Sequence, residues 1–462
     1  MLRLAIVGGG FSAVALVLAL TEQRIAADAL SLHIDVFEPR AELGQGLAYA
    51  PWERGAWGPL LNVPAGRMGP SLGRLDAFAT WWSARSGRSA DFAPRADYGR
   101  FLAQTLAQAL EASPWLRLNH CRHAVAALER TTSGWRLQGG GDEWTADHVV
   151  LAYGHEARSL PPGAWGESGW YADPWSCGQL LDQLPSAAPV LLLGSGLTAV
   201  DVWQRLALRP HSHAAPPVQV LSRHGWLPQP HRAHDSQPAG GILPPDVLLR
   251  ADSAAGLMNG LRSLVGEAGI AGVDWRDIVG DLRSHTPRLW RQLPPEQQRR
   301  AARHAMAAWD SHRHRLAPPV ATQVEAARRD GRLQIDAGRL LDWEPGDDGG
   351  WLLKCRRRNG EATEIRASTI VNCTGPAPQA CKPALQLRAQ GLSSGWYQPH
   401  PNGLGPRIGE SGQMLDPGNQ PQPGLWMLGP ALRAEHWEAT AVPELRQHAA
   451  RLASALLATP RG

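Results

Sequence analysis

Lysine and cysteine are both scarce in this sequence, and each scarcity limits what the protein can do. Lys354 and Lys382 are the only lysines among 462 residues, so nearly all of the positive charge is arginine, and the formal net charge is +4. No basic run is long enough to form a nucleic-acid arm. The cysteines show no C-x-x-C or C-x4-C spacing, which argues against a zinc cluster and a dithiol–disulfide relay. They are Cys121, Cys177, Cys355, Cys373 and Cys381.

Long apolar runs are missing as well. No stretch approaches the roughly 20 apolar residues that cross a bilayer, and we expect no signal peptide because a strand pattern begins at Leu2. The odd number of cysteines fits a reducing compartment, so we expect a cytoplasmic protein. The hydrophobic share of 43% is typical of a globular chain, and this length suits two or three domains.

The sequence does contain two glycine-rich turns that are typical of dinucleotide binding. The first follows an apolar run in residues 4–13 and has the order G-x-G-x-x-A. A strand that ends in such a turn lets the next helix point its N-terminus at a diphosphate. The first glycine permits the turn, the second lets the backbone approach the diphosphate, and the alanine allows close packing. The predicted contacts are Gly8, Gly10, Phe11, Ser12 and Ala13.

An acidic residue follows the next predicted strand. Residues 32–37 form this strand, and Glu38 stands at its end. A carboxylate there accepts hydrogen bonds from a ribose 2′-hydroxyl in FAD and NAD sites. The alternative is a solvated glutamate with no ligand. We interpret Glu38 as a ribose ligand.

The second glycine turn lies in residues 190–201 and ends differently. Its predicted contacts are Gly194, Gly196, Leu197, Thr198 and Ala199. The strand that follows its helix, residues 217–221, leads to Arg223 where the first unit has an acid. A guanidinium at that point can pair with a 2′-phosphate. The pattern therefore favours NADPH over NADH, and a solvated arginine is the alternative.

Further strands and helices indicate how the chain is organised. Two apolar segments, 147–155 and 367–376, contain Gly154 and Gly375 near their ends and are predicted to close the first sheet. We therefore predict an FAD domain in two parts, with an NAD(P)H domain between them and a helical insertion inside it. The predicted limits are 1–155 and 331–462 for the FAD domain, 156–330 for the NAD(P)H domain, and about 235–318 for the insertion, with helices at 246–267, 274–284, 287–292 and 295–310.

The last segment is predicted to approach the flavin. A strand at 424–428 reaches Gly429, and a helix is predicted at 438–447, with Thr440 in its first turn. The positive end of that helix would stabilise negative charge on the pyrimidine side of a reduced flavin.

Three residues are candidates for catalysis. Asn62 lies in the loop that follows Gly46, and His231 and His436 are candidates for proton handling. A buried loop asparagine and two structural histidines are the alternatives. The His/Arg cluster at 312–315 lacks acids or cysteines at metal-ligand spacing, so we predict no metal and interpret it as a basic lid or a helix-end cluster.

Several longer motifs carry a family resemblance over nearly the whole chain. They are residues 44–49, 60–65, 95–101, 194–201, 222–228, Trp309 with 312–315, 372–375 and 437–446. With them, the chain resembles the bacterial FAD-NAD(P)-binding family related to class B flavin-dependent monooxygenases. The resemblance implies an α/β fold with two Rossmann-like domains, FAD at the first turn and NAD(P)H at the second.

Two departures from the family pattern limit what carries over. Pro430 follows Gly429, where many such flavoproteins place an aspartate on the ribityl chain. The long signature of Baeyer–Villiger enzymes is absent, so a ketone substrate is not indicated.

We therefore expect an FAD-dependent, NADPH-consuming monooxygenase that hydroxylates a small metabolite through a flavin C4a-hydroperoxide. Two alternatives share every binding motif: a flavin reductase or dehydrogenase with a non-oxygen acceptor, and a non-catalytic nucleotide-bound redox sensor. The expected partners are a small molecule and O2, without nucleic acid or membrane; a homo-oligomer is left open. The 20 tryptophans and the Arg/His-rich insertion indicate a flat or an anionic substrate.

Overall fold

A computed structural model describes residues 1–23, 31–51, 58–87, 92–155, 159–185, 187–207, 217–232, 246–347, 349–375 and 382–459. Among these residues, no helix has both the length and the apolar character needed to cross a membrane. The strands are β1 (Leu2–Val7), β2 (Leu32–Phe37), β3 (Leu116–Cys121), β4 (Ala127–Thr131), β5 (Gly134–Gly139), β6 (Asp142–Ala146), β7 (His148–Leu151), β8 (Trp170–Tyr171), β9 (Val190–Leu193), β10 (Val218–Ser222), β11 (Leu333–Pro345), β12 (Trp351–Arg357), β13 (Ala362–Ala367), β14 (Thr369–Asn372), β15 (Gln413–Leu415) and β16 (Pro421–Met427).

Helices connect these strands and form the insertion. They are α1 (Phe11–Gln23), α2 (Ala77–Ser86), α3 (Arg95–Glu111), α4 (Gly178–Gln183), α5 (Leu197–Ala207), α6 (Asp246–Leu249), α7 (Ala254–Ile270), α8 (Trp275–Leu282), α9 (Thr286–Arg291), α10 (Pro295–His304), α11 (Met306–Arg313), α12 (Pro318–Arg329), α13 (Lys382–Ser394), α14 (Arg433–His436) and α15 (Val442–Ala458). Short 3-10 helices occupy Ala65–Arg67 and Pro430–Leu432.

The first sheet has the strand order β15-β16-β7-β1-β2-β3, and it is parallel except for β15. Its central strand is buried from Leu4 to Val7, as expected for a strand covered on both faces. Helices α1 and α15 pack against each other, and the antiparallel sheet β4-β5-β6 contacts β1, β7 and β16. The predicted strands at 32–37 and 147–155 both lie in this sheet.

The second sheet has the order β13-β12-β11-β10-β9-β14-β8. Strands β8, β9, β10, β11 and β14 run parallel, whereas β12 and β13 continue from β11 as an antiparallel meander. Each sheet contains the strand that leads into one of the two glycine turns. This strand is β1 in the first sheet and β9 in the second. The predicted α/β class with two Rossmann-like units is confirmed.

One strand belongs to a different sheet from the one predicted. Strand β14 pairs with β9, with Thr369 opposite Val190, so the expectation that residues 367–376 close the first sheet is wrong. A single residue, Ser368, separates β13 from β14, and β13 is already paired in the second sheet. The chain therefore cannot cross to the first sheet at this point, and it returns there only at β15. The second sheet extends to Asn372, past the predicted domain limit at residue 330.

The helical insertion is more finely divided than predicted. The helix predicted at 246–267 is two helices, because Ser253 caps α7 by accepting a hydrogen bond from the Gly256 N–H. The helix predicted at 295–310 is divided at Ala305. The C-terminal helix begins at Val442 rather than at residue 438, with Pro443 in its first turn, where a missing N–H costs nothing.

Candidate functional site

The first glycine turn has the backbone geometry that a diphosphate site requires. Gly8 has a φ of +107°, and a Cβ there would lie 2.4 Å from the carbonyl oxygen of Ala152, so another residue would be strained and in collision. The backbone of Gly46 lies beside Gly10, and the Gly44 N–H donates to the Gly9 carbonyl at 2.7 Å. The loop that follows β2 thus lies beside the turn, and a side chain at Gly10 would stand between the two.

Glu38 is held at this turn by three hydrogen bonds. Its side chain is buried, and Oε2 accepts from the Gly9 N–H at 3.1 Å, while Oε1 accepts from the Arg40 N–H and from Arg40 Nη1. A buried carboxylate with both oxygens fixed retains lone pairs for a further donor. Gly9 did not stand out in the sequence, although the run of three glycines was the available signal.

The other residues predicted at the first site are placed around this turn. Phe11, Ser12 and Ala13 are buried in the first turn of α1. Gly429 lies against the Ser12 side chain at the end of β16, and Gly154 has open space above its backbone after β7. Thr440 is half-buried in the loop that precedes α15.

The second glycine turn repeats the geometry of the first. Gly194 has a φ of +103°, and a Cβ there would lie 2.6 Å from the Cys373 carbonyl oxygen. Gly196 is exposed with open space above it, and Ala199 is buried against the sheet. Leu197 and Thr198 are half-buried at the start of α5. The N-terminus of α5 is therefore accessible to a ligand.

Gly375 belongs to this second turn and not to the first. It follows β14, whose Asn372 side chain is buried and donates from Nδ2 to the Gly375 and Ala172 carbonyl oxygens. Asn372 Oδ1 accepts from the Thr374 N–H and hydroxyl. The sequence placed Gly375 beside the first glycine turn because β14 was assigned to the first sheet.

The tip of β10 carries a cluster of arginines. Arg223 is exposed there, and burial together with Arg223, Arg358 and Arg339 lowers the pKa of His224. Ala337, two residues before Arg339, pairs with Ser222 and accepts a hydrogen bond from the Arg358 N–H, so all three arginines lie at this end of the sheet. None of them pairs with a carboxylate in the described part of the chain. Arg339 comes from β11 and Arg358 follows β12. We call Arg223, Arg339 and Arg358 the three-arginine cluster; sequence spacing gave no signal for its last two members.

Hydrogen bonds fix the loop that bears Arg223. The Ser195 hydroxyl lies 2.8 Å from Ser222 Oγ and 2.6 Å from the Trp226 carbonyl oxygen. The rings of His224 and Trp226 stack with centroids 4.4 Å apart. Ser195, in the second glycine turn, is thus hydrogen-bonded directly to the end of β10. This strand end corresponds to the end of β2 in the first unit, where Glu38 lies.

Two of the three catalytic candidates are in contact. His231 donates from Nε2 to the backbone carbonyl of Asn62 at 2.9 Å, and its ring packs on Phe92. Burial, helped by Arg315, Arg67 and Arg276 and opposed by the hydrogen bond to Asn62, lowers the pKa of His231 to about 4. His231 is therefore neutral near pH 7 and joins the loop of Asn62 to the start of the insertion.

His436 lies in a separate cluster. It is buried with its ring centroid 4.6 Å from that of His448. Burial, and then the neighbouring His448, lowers the pKa of His436 to about 3. His448 donates to the Glu438 carbonyl oxygen. No contact joins His436 to Asn62 or His231 among the described residues, so the three candidates do not form one catalytic group.

A buried ion cluster, which sequence reasoning missed, connects the insertion to the segment before α15. Glu438 accepts hydrogen bonds from Trp309 Nε1 at 3.0 Å and from Arg313 Nε at 3.1 Å. Arg313 also contacts Glu444, which pairs with Arg283. Burial alone would raise the pKa of Glu438, but Arg313, His314 and Arg283 outweigh burial and hold that pKa below its ordinary value. Glu438, in the segment before α15, is therefore fixed to α11, and Glu444 on α15 is fixed to α11 and to Arg283, the residue after α8.

The two glycine-turn units are joined by another buried ion pair. Arg95, the first residue of α3, donates to both carboxylate oxygens of Asp201 on α5, at 2.8 and 3.2 Å. Arg95 also donates from Nε to the Leu60 carbonyl oxygen, two residues before Asn62. The helix that begins at the second glycine turn is thereby attached to the loop of Asn62.

The four described cysteines are all buried. Burial raises the pKa of Cys121 to about 11, of Cys177 to about 12 and of Cys355 to about 11, and raises that of Cys373 well above its ordinary value. These thiols are protonated at neutral pH and so are poor nucleophiles. Cys381 lies outside the described residues.

Comparison with known proteins agrees with this geometry. Residues 5–156 match the model of a family described as FAD-NAD(P)-binding, which confirms the resemblance at the first glycine turn. No curated protein matches the chain in sequence.

Three solved structures are similar to the chain over almost its whole length. An ornithine N-hydroxylase from Kutzneria sp. 744 has 14% identity, a TM-score of 0.61 and coverage of 98% of each chain. The L-lysine 6-monooxygenase from Pseudomonas syringae has 16% identity, a TM-score of 0.60 and coverage of 98% of each chain. A cadaverine monooxygenase from Erwinia amylovora has 14% identity and a TM-score of 0.60, covering 100% of this chain and 96% of that one. At these identities, the likeness shows the fold. The chain therefore has the fold of two-dinucleotide-binding flavoprotein oxidoreductases, and its residues 5–156 match the FAD-NAD(P)-binding family.

Proposed function

We propose that the protein is an FAD-dependent monooxygenase that consumes NADPH and acts on a small molecule. The observation that carries this proposal is the pairing of two open glycine turns, one with a buried acid at the following strand tip and one with the three-arginine cluster. Such a pair of turns fits two dinucleotides of different ribose chemistry in one chain.

The residues of the first turn fit FAD. The start of α1 offers unpaired N–H groups and the positive end of a helix dipole to a diphosphate, next to the glycine backbone of Gly10 and Gly46. Glu38 has both carboxylate oxygens oriented by backbone N–H groups and would accept the ribose hydroxyls. Gly429 and Thr440 would lie along the rest of the cofactor.

The second turn fits NADPH better than NADH. The three-arginine cluster has no acid partner among the described residues, so its charge is available to a dianionic 2′-phosphate. The exposed Trp226 ring beside it offers a flat surface for an adenine. An uncharged 2′-hydroxyl would leave these guanidinium groups without a partner.

When bound, FAD supplies the hydride and oxygen chemistry of the reaction. The protein's own residues bind and position. His231 keeps the Asn62 loop in place through the bond to its carbonyl, and the Arg95–Asp201 pair fixes the same loop to the second glycine-turn helix. Because the pKa of His231 is about 4, this histidine acts as a neutral positioning group and not as a base near pH 7.

The choice of monooxygenase over a thiol-dependent reductase rests on two observations. The described cysteines are buried thiols with raised pKa values, which do not suit a disulfide relay. Several solved structures of the same fold are named as monooxygenases or hydroxylases. The first observation argues against a thiol relay among the described cysteines, and the second supports oxygen as the electron acceptor.

Oxygen labelling tests the proposal. The FAD-loaded protein is incubated with NADPH, isotopically labelled O2 and a panel of small molecules, and the products are analysed by mass spectrometry. A product that gains one labelled oxygen atom per NADPH oxidised is the expected result. Efficient transfer of electrons from NADPH to a non-oxygen acceptor, without any labelled product, would assign the protein to the reductases instead.

A further inference from the structure

The helical insertion and the segment before α15 enclose an apolar cavity that no motif predicted. The cavity has about 610 Å³ of empty space, including the part that opens to solvent. Its walls are formed by α7, α9, α10 and α11 on one side and by Trp437 on the other. Prominent lining residues are Leu257, Met258, Leu261, Trp290, Trp309 and Trp437.

Three of the polar side chains in this lining, Thr286, Trp290 and Trp309, are already hydrogen-bonded to the protein. Trp290 Nε1 donates to the Ala434 carbonyl oxygen at 2.8 Å, and Trp309 Nε1 donates to Glu438. The hydroxyl of Thr286 donates to the Leu282 carbonyl oxygen. The rings of Trp290 and Trp309 therefore present carbon faces to the cavity. A carboxylate group placed there would lose its hydration without compensation, and the lining has no acid to pair with an ammonium group.

Trp437 connects the cavity to the proposed cofactor site. Its backbone has a φ of +58° and a ψ of −57°, a sparsely populated conformation for a bulky residue. The surroundings hold it there: its ring lies 4.3 Å from that of Trp290, and the Arg433 guanidinium lies over it at 4.6 Å. Trp437 precedes by three residues Thr440, the proposed flavin contact. One short segment thus forms a cavity wall and approaches the flavin site.

We propose that this cavity binds the substrate, and that the substrate is an uncharged molecule with a flat aromatic or an alkyl body. The inference rests on the proposed function, since it assigns the substrate class of the same enzyme. It separates this protein from the solved structures of the same fold, whose names specify ornithine, lysine and cadaverine. Those amines carry charges that the cavity lining has no group to neutralise.

Calorimetric titration of the FAD-loaded protein with indole tests this site. We expect indole to bind and L-ornithine to give no heat of binding. Ala301→Leu adds volume at a buried position of the lining and should raise the Kd for indole by about tenfold or more. The matched control is Ala302→Leu, the neighbouring half-buried residue of α10, which is not part of the lining and should leave the Kd unchanged.

A second variant covers the case in which Ala301→Leu does not fold. Met258→Glu places a carboxylate at a half-buried position in the lining and should weaken indole binding by a similar factor while leaving bound FAD in place. Indole binding that is equal in wild type, Ala301→Leu and Met258→Glu would overturn the inference, as would failure of indole to bind the wild type.

The same samples separate this inference from the proposed function. Reduction of the bound flavin by NADPH is measured on each of them. Indole binding that the lining variants abolish, in a protein whose flavin NADPH does not reduce, would support the cavity as a binding site and contradict the monooxygenase. Normal reduction without cavity-dependent binding would contradict only the substrate class.

Discussion

Arg95 and Asp201 form a two-point ion pair that joins the loop of Asn62 to the helix of the second glycine turn. Their side chains are 12% and 7% exposed, so the pair is largely removed from water. Removing one partner would leave a charge in a buried site without compensation. We therefore predict that Arg95→Ala lowers the free energy of unfolding by about 3–5 kcal/mol, measured by urea denaturation.

Arg100→Ala is the control for this prediction. Arg100 lies on the same helix and pairs with Asp97, but its side chain is 55% exposed, so its loss should cost less than about 1 kcal/mol. Equal effects of Arg95→Ala and Arg100→Ala would mean that the Arg95–Asp201 pair does not hold the two units together.

Glu38→Ala should yield protein depleted in FAD. The substitution removes the proposed ribose acceptor and leaves the Gly9 N–H without its partner. A lost hydrogen bond to a charged group costs about 1.5–3 kcal/mol, which corresponds to an increase in the Kd for FAD of about 10- to 150-fold. The ratio of flavin to protein absorbance measures the effect, and Glu42→Ala, an exposed acid in the same loop, is the control. Full flavin occupancy in Glu38→Ala would remove Glu38 from the site.

Arg223→Ala should raise the KM for NADPH by about 10- to 150-fold and leave the KM for NADH nearly unchanged. The substitution removes a contact with the 2′-phosphate, which NADPH carries and NADH does not. Arg339→Ala and Arg358→Ala should shift the same ratio in the same direction, since both residues lie beside Arg223 at the end of β10. Arg366→Ala, at an exposed position of β13 opposite Leu352 and away from the cluster, is the control. A parallel loss for both coenzymes would show that Arg223 has a structural role.

His436 and His448 should make the protein less stable in acid. Burial lowers the pKa of His436 to about 3 and that of His448 to about 4, whereas the ordinary value is 6.5. As the pH falls below 6.5, the unfolded chain takes up protons that the folded chain does not bind, so the free energy of unfolding falls. Each histidine contributes up to about 1.4 kcal/mol per pH unit between about pH 6 and pH 4.

The difference between wild type and His436→Gln isolates this contribution. Urea denaturation at about pH 7 and at about pH 5 should give a smaller loss of stability in the variant than in the wild type. The same loss in both proteins would mean that His436 titrates normally in the folded state.

Sequence patterns identified the local features of the site well. The G-x-G-x-x-A turns and Glu38 occupy the expected strand ends, because tight turns and close backbone approaches restrict residue type within a few positions. The sequence did not determine to which of the two sheets each strand belongs. Strand β14 has the buried apolar pattern that either parallel sheet would accept, and only its pairing with β9 assigns it to the second.

Long-range clusters left no pattern in the sequence. Arg339 and Arg358 lie more than 100 residues after Arg223 in the sequence, and the pairing of β10, β11 and β12 brings them near it. No spacing rule relates the three positions. Glu438 likewise finds Trp309 and Arg313 across the fold. The apolar cavity arises in the same way, from helices of the insertion that face Trp437. Such sites depend on the packing of distant elements, which periodicity and turn chemistry do not encode.

The most direct test of the account is the visible absorbance of the purified protein when NADPH is added without oxygen. We predict a yellow protein with about one FAD per chain, whose flavin band bleaches with NADPH and returns when air is admitted. A protein without flavin, or a bound flavin that dithionite reduces and NADPH does not, would contradict the assignment of FAD to the first glycine turn and of NADPH to the second.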